Sequence, residues 1–423
     1  MASSPHARAF PALAGAPWLA RRDTRSLLAM LGAAGHEARV VGGAVRNALL
    51  GAPVGDIDIA TTASPEAVIA AAARAGLATV PTGIAHGTVT VVVDGRPFEV
   101  TTLRRDVATD GRRAVVAFTD DWAHDAARRD FTMNALYCDA DGVVHDPLGG
   151  LDDLVARRVR FIGDADQRIR EDYLRILRYF RFNAEYGAGN PEPAGIAACV
   201  RQRAGLASLS GERIRRELVG IVAAPGGAPA IRAACESGIL TALFGIAPHP
   251  LLLERLIAIE AGLGAAADPV LRIAVLAAST PEDAARIDAR LKLSTQERDR
   301  LIDAAVHRPM AAARDGEAAA RRALYAAGSA RRFEAQVRGA WARSADPVAD
   351  PRWARLHALP GRWPRPDFPL RGADALALGV PPGPAVGALL ARLEGWWVDN
   401  GFPSDRRVLL DRLAAEASVI SST

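Results

Sequence analysis

The chain reads as α+β: a mixed head of short strands and helices up to about residue 155, then a part that is helical almost throughout. Two observations lead to this. Short β-rich runs at 88–93, 98–102 and 114–118 alternate with helical stretches in the first part. From about 165 onward, alanine- and leucine-rich amphipathic segments are interrupted by Gly and Pro clusters near 187–195, 224–229, 245–250 and 359–369. The implied plan is a head at 1–155, a helical neck at 156–247 and a helical body and tail at 248–423. A length of 423 residues leaves room for several domains and ample core.

The elements follow in order. The opening M-A-S-S-P-H-A-R-A-F is rich in alanine and arginine and poor in acid, as mitochondrial presequences are, yet no hydrophobic signal core or cleavage pattern follows. Residues 17–34 read as one amphipathic helix leading into the first strand. The string V-G-G-A-V-R-N-A-L-L-G-A-P-V-G-D-I-D-I-A-T at 41–61 supplies a glycine turn, the start of a helix and an apolar run suited to a strand. Ser64 and Pro65 open a further helix as N-cap and first helical residue. Ser294 and Glu297 make a capping box at the start of a body helix.

Composition narrows the possibilities. A net charge of +4 and a pI near 9.3 permit a polyanionic partner without requiring one. Lys292 is the only lysine; the remaining positive charge is arginine, which suits bidentate phosphate contacts and equally follows from genomic base composition. Cys138, Cys199 and Cys235 lack metal-ligand spacing, and their low, odd count fits a reducing compartment without a structural disulfide. No run approaches the roughly 18 apolar residues that span a bilayer. A soluble cytoplasmic protein is expected.

The 41–61 segment carries the chemistry. Asp56 and Asp58 flank Ile57, and the period of two of a strand would put both carboxylates on one face. Such a hard, oxygen-rich site suits Mg2+. Two such ions roughly 4 Å apart would activate an attacking hydroxyl and neutralise a leaving pyrophosphate. Gly42 and Gly43 let the backbone approach a phosphate, with the following helix N-terminus adding a favourable dipole, and Arg46 lies one turn further on. These residues point to a nucleotidyltransferase. In R-R-D-F-T-M-N-A-L at 128–136, behind F-T-D-D-W at 118–122, Arg128, Arg129 and Asp130 suit either a phosphate and ribose site or a structural ion-pair cluster. In E-D-Y-L-R-I-L-R-Y-F-R-F at 171–182, Asp172, Arg175, Arg178 and, nearly, Arg181 recur every third residue along one helix face. That stripe is either solvated or lines a cleft, where an aspartate and an arginine offer an acceptor and paired donors to the edge of a base.

These motifs, followed by L-S-G-E-R-I-R-R-E-L at 209–218, resemble in this order, over about 35–245, the class II CCA-adding enzymes and bacterial poly(A) polymerases. Those are tRNA nucleotidyltransferases with a polymerase-β-like head. The resemblance implies a catalytic head, a neck that recognises the base and RNA, and a tRNA-binding body and tail. It implies that Asp56 and Asp58 carry catalytic Mg2+, that Gly43 and Arg46 hold the triphosphate, and that Arg129 and Asp130 serve triphosphate and ribose. Asp172 and Arg175 would be the amino-acid template for the incoming cytosine or adenine, with Arg178 and Arg181 lining the same pocket. The implied partners are tRNA, CTP and ATP, with no membrane.

The resemblance also bears on less specific positions. Glu99, in F-E-V-T-T, is either a third acidic group near the metals or a cross-strand structural charge. Residues 104–117 resemble the flexible loop used in switching from CTP to ATP, though the turn signal Thr109-Asp110-Gly111 equally suits a hairpin. Asn47 stands where an aspartate is common, so an ion pair made there in relatives is lost. Residues 368–390 resemble the family more weakly: Gly379, Pro381, Pro382, Gly383 and Pro384 make a turn that either offers N–H groups to a tRNA phosphate or simply connects two helices. Trp396 and Trp397 read as packing residues. Neither His-Asp dipeptide, at 124–125 or 145–146, lies in the helical part, so no appended phosphohydrolase domain is expected.

CCA addition is the expected reaction. The alternatives are a poly(A) polymerase, a C-adding or A-adding specialist, and a catalytically silent tRNA-binding protein. The first is disfavoured by G-R-P-F at 95–98, a poor match to the G-R-R-F-like stretch of those relatives, and the last by the presence of both Asp56 and Asp58.

Overall fold

The computed structural model describes residues 7–9, 11–110, 113–305, 310 and 314–421. They fall into two compact units, Met1–Pro248 with Ala289–Lys292, and His249–Asp288 with Leu293–Thr423.

The strands of the first unit are β1 (Ala7–Ala9), β2 (Ala38–Val41), β3 (Asp58–Thr61), β4 (Ala78–Gly83), β5 (Thr88–Val93), β6 (Arg96–Thr102), β7 (Arg104–Asp110), β8 (Arg113–Phe118), β9 (Tyr137–Cys138) and β10 (Val143–His145). Eight of them form one sheet in the order β1-β10-β9-β2-β3-β6-β5-β4, while β7 pairs with β8 in a separate hairpin. Pairing is antiparallel except between β3 and β6, so the sheet is mixed. Alternation in β5 buries Val89, Val91 and Val93 and leaves Thr88, Thr90 and Val92 half-buried, the pattern of a strand with one face on the core. Strands β7 and β8 pair as a hairpin, although Gly111 of its turn signal lies outside the described residues.

The helices of this unit that matter here are α1 (Pro11–Ala14), α2 (Pro17–Ala20), α3 (Arg22–Ala33), α4 (Gly43–Leu49), α5 (Pro65–Arg74), α6 (Trp122–Ala127), α7 (Gly150–Val155), α8 (Ala165–Glu171), α9 (Leu174–Tyr186), α10 (Pro193–Gln202) and α11 (Gly211–Ala223). Ser64 caps α5 by accepting the Ala67 N–H at 3.2 Å. Residues 17–34 differ from expectation, being two helices and not one. The break is Arg21, extended at ψ 138°, whose guanidinium grips Asp23 at 2.9 and 2.6 Å while Asp23 accepts the Thr24 N–H at 2.7 Å. Nor does this segment lead into the first strand, because β1 precedes it and pairs with β10.

The second unit is helical. Its apolar clusters include Leu256, Val275, Phe333, Trp341 and Trp353 in one, and Leu389, Leu393, Trp397, Leu409 and Leu413 in the other. Trp397 is core, and Trp396 is partly buried with Arg412 4.6 Å above its ring. The Ser294 and Glu297 capping box forms, at 2.9 and 3.3 Å. Among the described residues no helix is long and apolar enough to cross a membrane.

Candidate active site

The site grows out of the end of β2. Gly42 has φ 70° and ψ −120°, a region closed to side chains, and turns the chain from β2 into α4. One turn into α4, buried Arg46 donates to Asn134 Oδ1 and, at 2.7 Å, to the Tyr186 hydroxyl. Its guanidinium also stacks 3.9 Å from the Tyr186 ring centre. Asn47 Oδ1 accepts from Arg46 Nε and Nη2 at 3.1 and 2.9 Å, as a carboxylate oxygen could, and its amide nitrogen, which an aspartate lacks, donates to the Pro53 carbonyl at 2.9 Å. The contact is made by hydrogen bonds from a cation to a neutral oxygen, without an ion pair.

Asp58 opens β3. The parallel register that pairs Ile59 with Val100 sets Asp58 beside Glu99 on β6. Loss of hydration raises the Asp58 carboxyl above the ordinary carboxylate range, the negative charges of Glu99 and Asp56 add to the rise, and Arg129 opposes it. Asp56 is not on the strand, which begins only at Asp58; it is exposed in the extended segment before it. Burial nevertheless alternates, with Ile57 buried between exposed Asp56 and Asp58, so the two carboxylates share the solvent side and their charges interact.

Arg128 and Arg129 follow α6, and both bind Asp125, at 2.8 and 2.9 Å. Asp130 is buried; its Oδ1 accepts from the Phe131 N–H and Asn134 Nδ2, each at 2.9 Å, and its Oδ2 accepts from Arg178 of α9. Burial alone would raise Asp130, but Arg178 and these hydrogen bonds hold it below the usual carboxylate range. Arg175 donates to Glu171 Oε2 at 2.6 Å and to the Arg168 carbonyl at 2.7 Å. Asp172 departs from the expected helix face. At φ −156° it lies between α8 and α9, accepting the Leu174 N–H at 3.1 Å and Arg213 of α11 at 2.7 Å.

These elements surround a cleft of about 440 Å³ lined by Gly42, Gly43, Arg46, Asp58, Arg128, Arg129, Asp130, Asn134, Asp172, Leu174, Arg175, Arg178, Phe182 and Arg213. Six arginines against three aspartates bias it toward anions. Most of the residues expected from sequence meet here. Asp56 and Arg181 do not line it; Arg181 is held by Glu217 at 2.5 Å and Glu185 at 2.9 Å. Asn134, Phe182 and Arg213 were not singled out, although each lies inside a quoted motif. A second cleft of about 490 Å³, in the helical unit, is lined by side chains largely paired with one another, such as Arg332 and Gln336 with Asp303.

Among the described residues no three His, Cys, Asp or Glu side chains form a complete metal cage. The donors Asp58, Asp56 and neighbouring Glu99 are all hard oxygens, and the charges of Glu99 and Asp56 both act on Asp58. This suits a cation that takes its remaining ligands from phosphate and water.

A mixed sheet with acidic groups at the head of one strand, a glycine turn into a helix and an arginine-lined cleft alongside make this a nucleotidyltransferase with a polymerase-β-like head. Residues 38–160 match the Poly A polymerase head domain family. The chain is 34% identical over 407 residues to CCA tRNA nucleotidyltransferase 1, mitochondrial, of Mus musculus, spanning 91% of this chain and 88% of that one. It is 33% identical over 390 residues to the CCA-adding enzyme of Latilactobacillus sakei subsp. sakei (strain 23K), spanning 91% and 95%. The crystal structure of the Bacillus stearothermophilus CCA-adding enzyme in complex with CTP matches with a TM-score of 0.72 at 27% identity, over 95% of this chain and 98% of that one. The chain belongs to the family of CCA-adding tRNA nucleotidyltransferases. Dependence on a divalent metal comes with that family.

Proposed function

We propose that this protein adds C, C and A in turn to the 3′ end of tRNA, from CTP and ATP with Mg2+, choosing each base without a nucleic-acid template. The observation that carries this reading is the single cleft shared by Asp58, the arginines Arg46 and Arg129, and the Asp172 and Arg175 pair.

In this reading Asp56 and Asp58 hold Mg2+, which when bound makes the tRNA 3′-hydroxyl more acidic and shields the charge of the α-phosphate. Gly43 leaves room for the phosphates, while Arg46, Arg128 and Arg129 line the cleft with the positive charge that draws them in. Asp130, oriented by Arg178 and Asn134, accepts from a ribose hydroxyl. Asp172 is steadied by Arg213, and Arg175 by Glu171. Cytosine and adenine share an exocyclic amino group, which a carboxylate can accept, whereas uracil presents an oxygen at that place and is repelled. One acceptor and donor pair thereby serves both CTP and ATP. The helical second unit, with its arginines, takes the tRNA by shape and backbone, which implies marked salt sensitivity. A cytoplasmic location, the 1–155, 156–247 and 248–423 division of labour and Arg181 as a support of the same pocket belong to this reading.

The test is to incubate the purified full chain and Mg2+ with tRNAs ending before, within and one residue short of the CCA tail, with CTP, ATP or both, and to resolve products by single nucleotides. Two C residues and one A, then arrest, is the expected result. A long A tail, or addition of C or A alone, overturns it in favour of a poly(A) polymerase or a specialist, and no addition in favour of a binding protein.

A further inference from the structure

We propose that Asp125 is the positioning residue that aims Arg128 and Arg129 at the triphosphate, an inference that rests on the nucleotidyl-transfer reading above. Asp121 starts α6 by accepting the Ala123 N–H at 2.8 Å, and Asp125 then stands three and four residues ahead of the two arginines. On a helix those spacings bring one carboxylate to face both cations. Asp125 is 1% exposed. Its Oδ1 takes Arg128 Nε at 2.9 Å and Nη2 at 2.8 Å; its Oδ2 takes Arg129 Nη2 at 2.9 Å and the Tyr137 hydroxyl at 2.8 Å.

The remaining geometry shows which donors are left over. Arg129 Nε turns to the Tyr137 oxygen at 3.3 Å, so Nε and one N–H of Nη2 are committed away from the nucleotide. Nη1 and the other N–H of Nη2 remain, and a Cβ placed on Gly42 would lie only 3.8 Å from Nη1, which puts this donor at the glycine turn. Arg128 and Arg129 line the cleft and Asp125 does not. A carboxylate outside the cleft therefore fixes the direction of donors inside it. Two effects oppose each other when it is removed. Lost negative charge strengthens the pull on any anion, whereas two freed arginine forks must be ordered afresh by every nucleotide. With both arginines anchored on one group, the loss of order prevails.

The test uses the full chain with tRNA lacking its terminal residues. Asp125→Asn should raise KM for both CTP and ATP about tenfold, with kcat and the KM for tRNA within about threefold of the parent. In an Arg129→Ala background the same change should add little, because the two side chains act as a unit. Tyr137→Phe, which keeps the buried ring, should shift KM the same way by a smaller factor, and carries the test should Asp125→Asn fail to fold. A nucleotide KM that stays put or falls, or losses that add fully with Arg129→Ala, overturns the proposal. Calorimetric titration with CTP alone should reproduce the shift in Kd. Should the parent bind CTP yet add nothing to tRNA, the function reading fails while the Kd values still decide the role of Asp125.

Discussion

Arg178 and Asp130, 48 residues apart in the chain, are joined by two hydrogen bonds in which Nε and Nη2 donate to Oδ2 at 2.8 and 2.5 Å. The pair ties α9, which carries the arginines of the third motif, to the loop that carries the second. Both sides of the cleft are thus held in one register.

Arg178→Ala leaves a buried carboxylate with only neutral donors, and a hydrogen-bonded charge of this kind contributes about 2 kcal/mol. Asp130 is depressed in the folded state, so its contribution is complete above the unfolded value near 3.9 and is lost as pH falls through the folded one. Urea midpoints of parent and variant should therefore differ at neutral pH and converge below about pH 4. A gap that holds or widens in acid would show that the pair contributes through packing instead.

The strands at 88–93 and 98–102, the Ser64 cap and the glycine turn were legible because each is a local rule: a period of two, a side chain reaching its own helix, a positive φ. What escaped is decided by partners far off in sequence. Arg181 shares the three-residue spacing of its neighbours, yet Glu217, 36 residues away, claims it. Asp172 continues the same spacing, but it caps α9 from outside, bound to Arg213 41 residues on. Strand β1 is three residues long and exists through β10, which no alternation inside it could announce.

Asp58→Asn keeps the shape of the side chain and removes its charge. Transfer should fall by about a thousandfold, the scale of losing one electrostatic contact made in the transition state. tRNA binding, read by filter retention, should persist, since phosphate contacts elsewhere supply it. Partial loss of hydration and the charges of Glu99 and Asp56 already disfavour ionised Asp58, which is itself solvent-exposed, so the variant should melt no lower than the parent. Chelation of divalent ions should silence the parent, and added Mg2+ should restore it. An active Asp58→Asn variant would remove Asp58 from the metal site.

Arg175→Ala tests the choice of base. The side chain donates to Glu171 and to the Arg168 carbonyl as well as lining the cleft, so its loss frees the acceptor beside it. The preference for CTP over UTP, measured as a ratio of kcat/KM, should fall about tenfold, the worth of one or two directed hydrogen bonds. Inhibition by free pyrophosphate, which has no base, should be unchanged. Intact selectivity with weakened pyrophosphate binding would move Arg175 from the base to the phosphates.

Gly150 and Gly149 stand side by side and separate packing from backbone strain. A Cβ on Gly150, the first residue of α7, would overlap the Thr132 carbonyl, whose backbone atoms cannot rotate aside. Thr132 is held there by its hydroxyl, which donates to buried Asp153 at 2.6 Å, and by its N–H, which donates to the Arg160 carbonyl at 3.0 Å. Gly149 has φ 71° and open space where its Cβ would lie. Gly149→Ala should therefore cost about 1 kcal/mol through the left-handed backbone alone and leave nucleotide KM unmoved. Gly150→Ala should cost about 2 kcal/mol by overpacking. Because Thr132 follows Asp130 by two residues, it should also raise KM for both CTP and ATP. Urea midpoints and CTP titrations on the two variants decide between these outcomes. Equal effects on KM would mean that α7 does not set the position of the 128–134 loop.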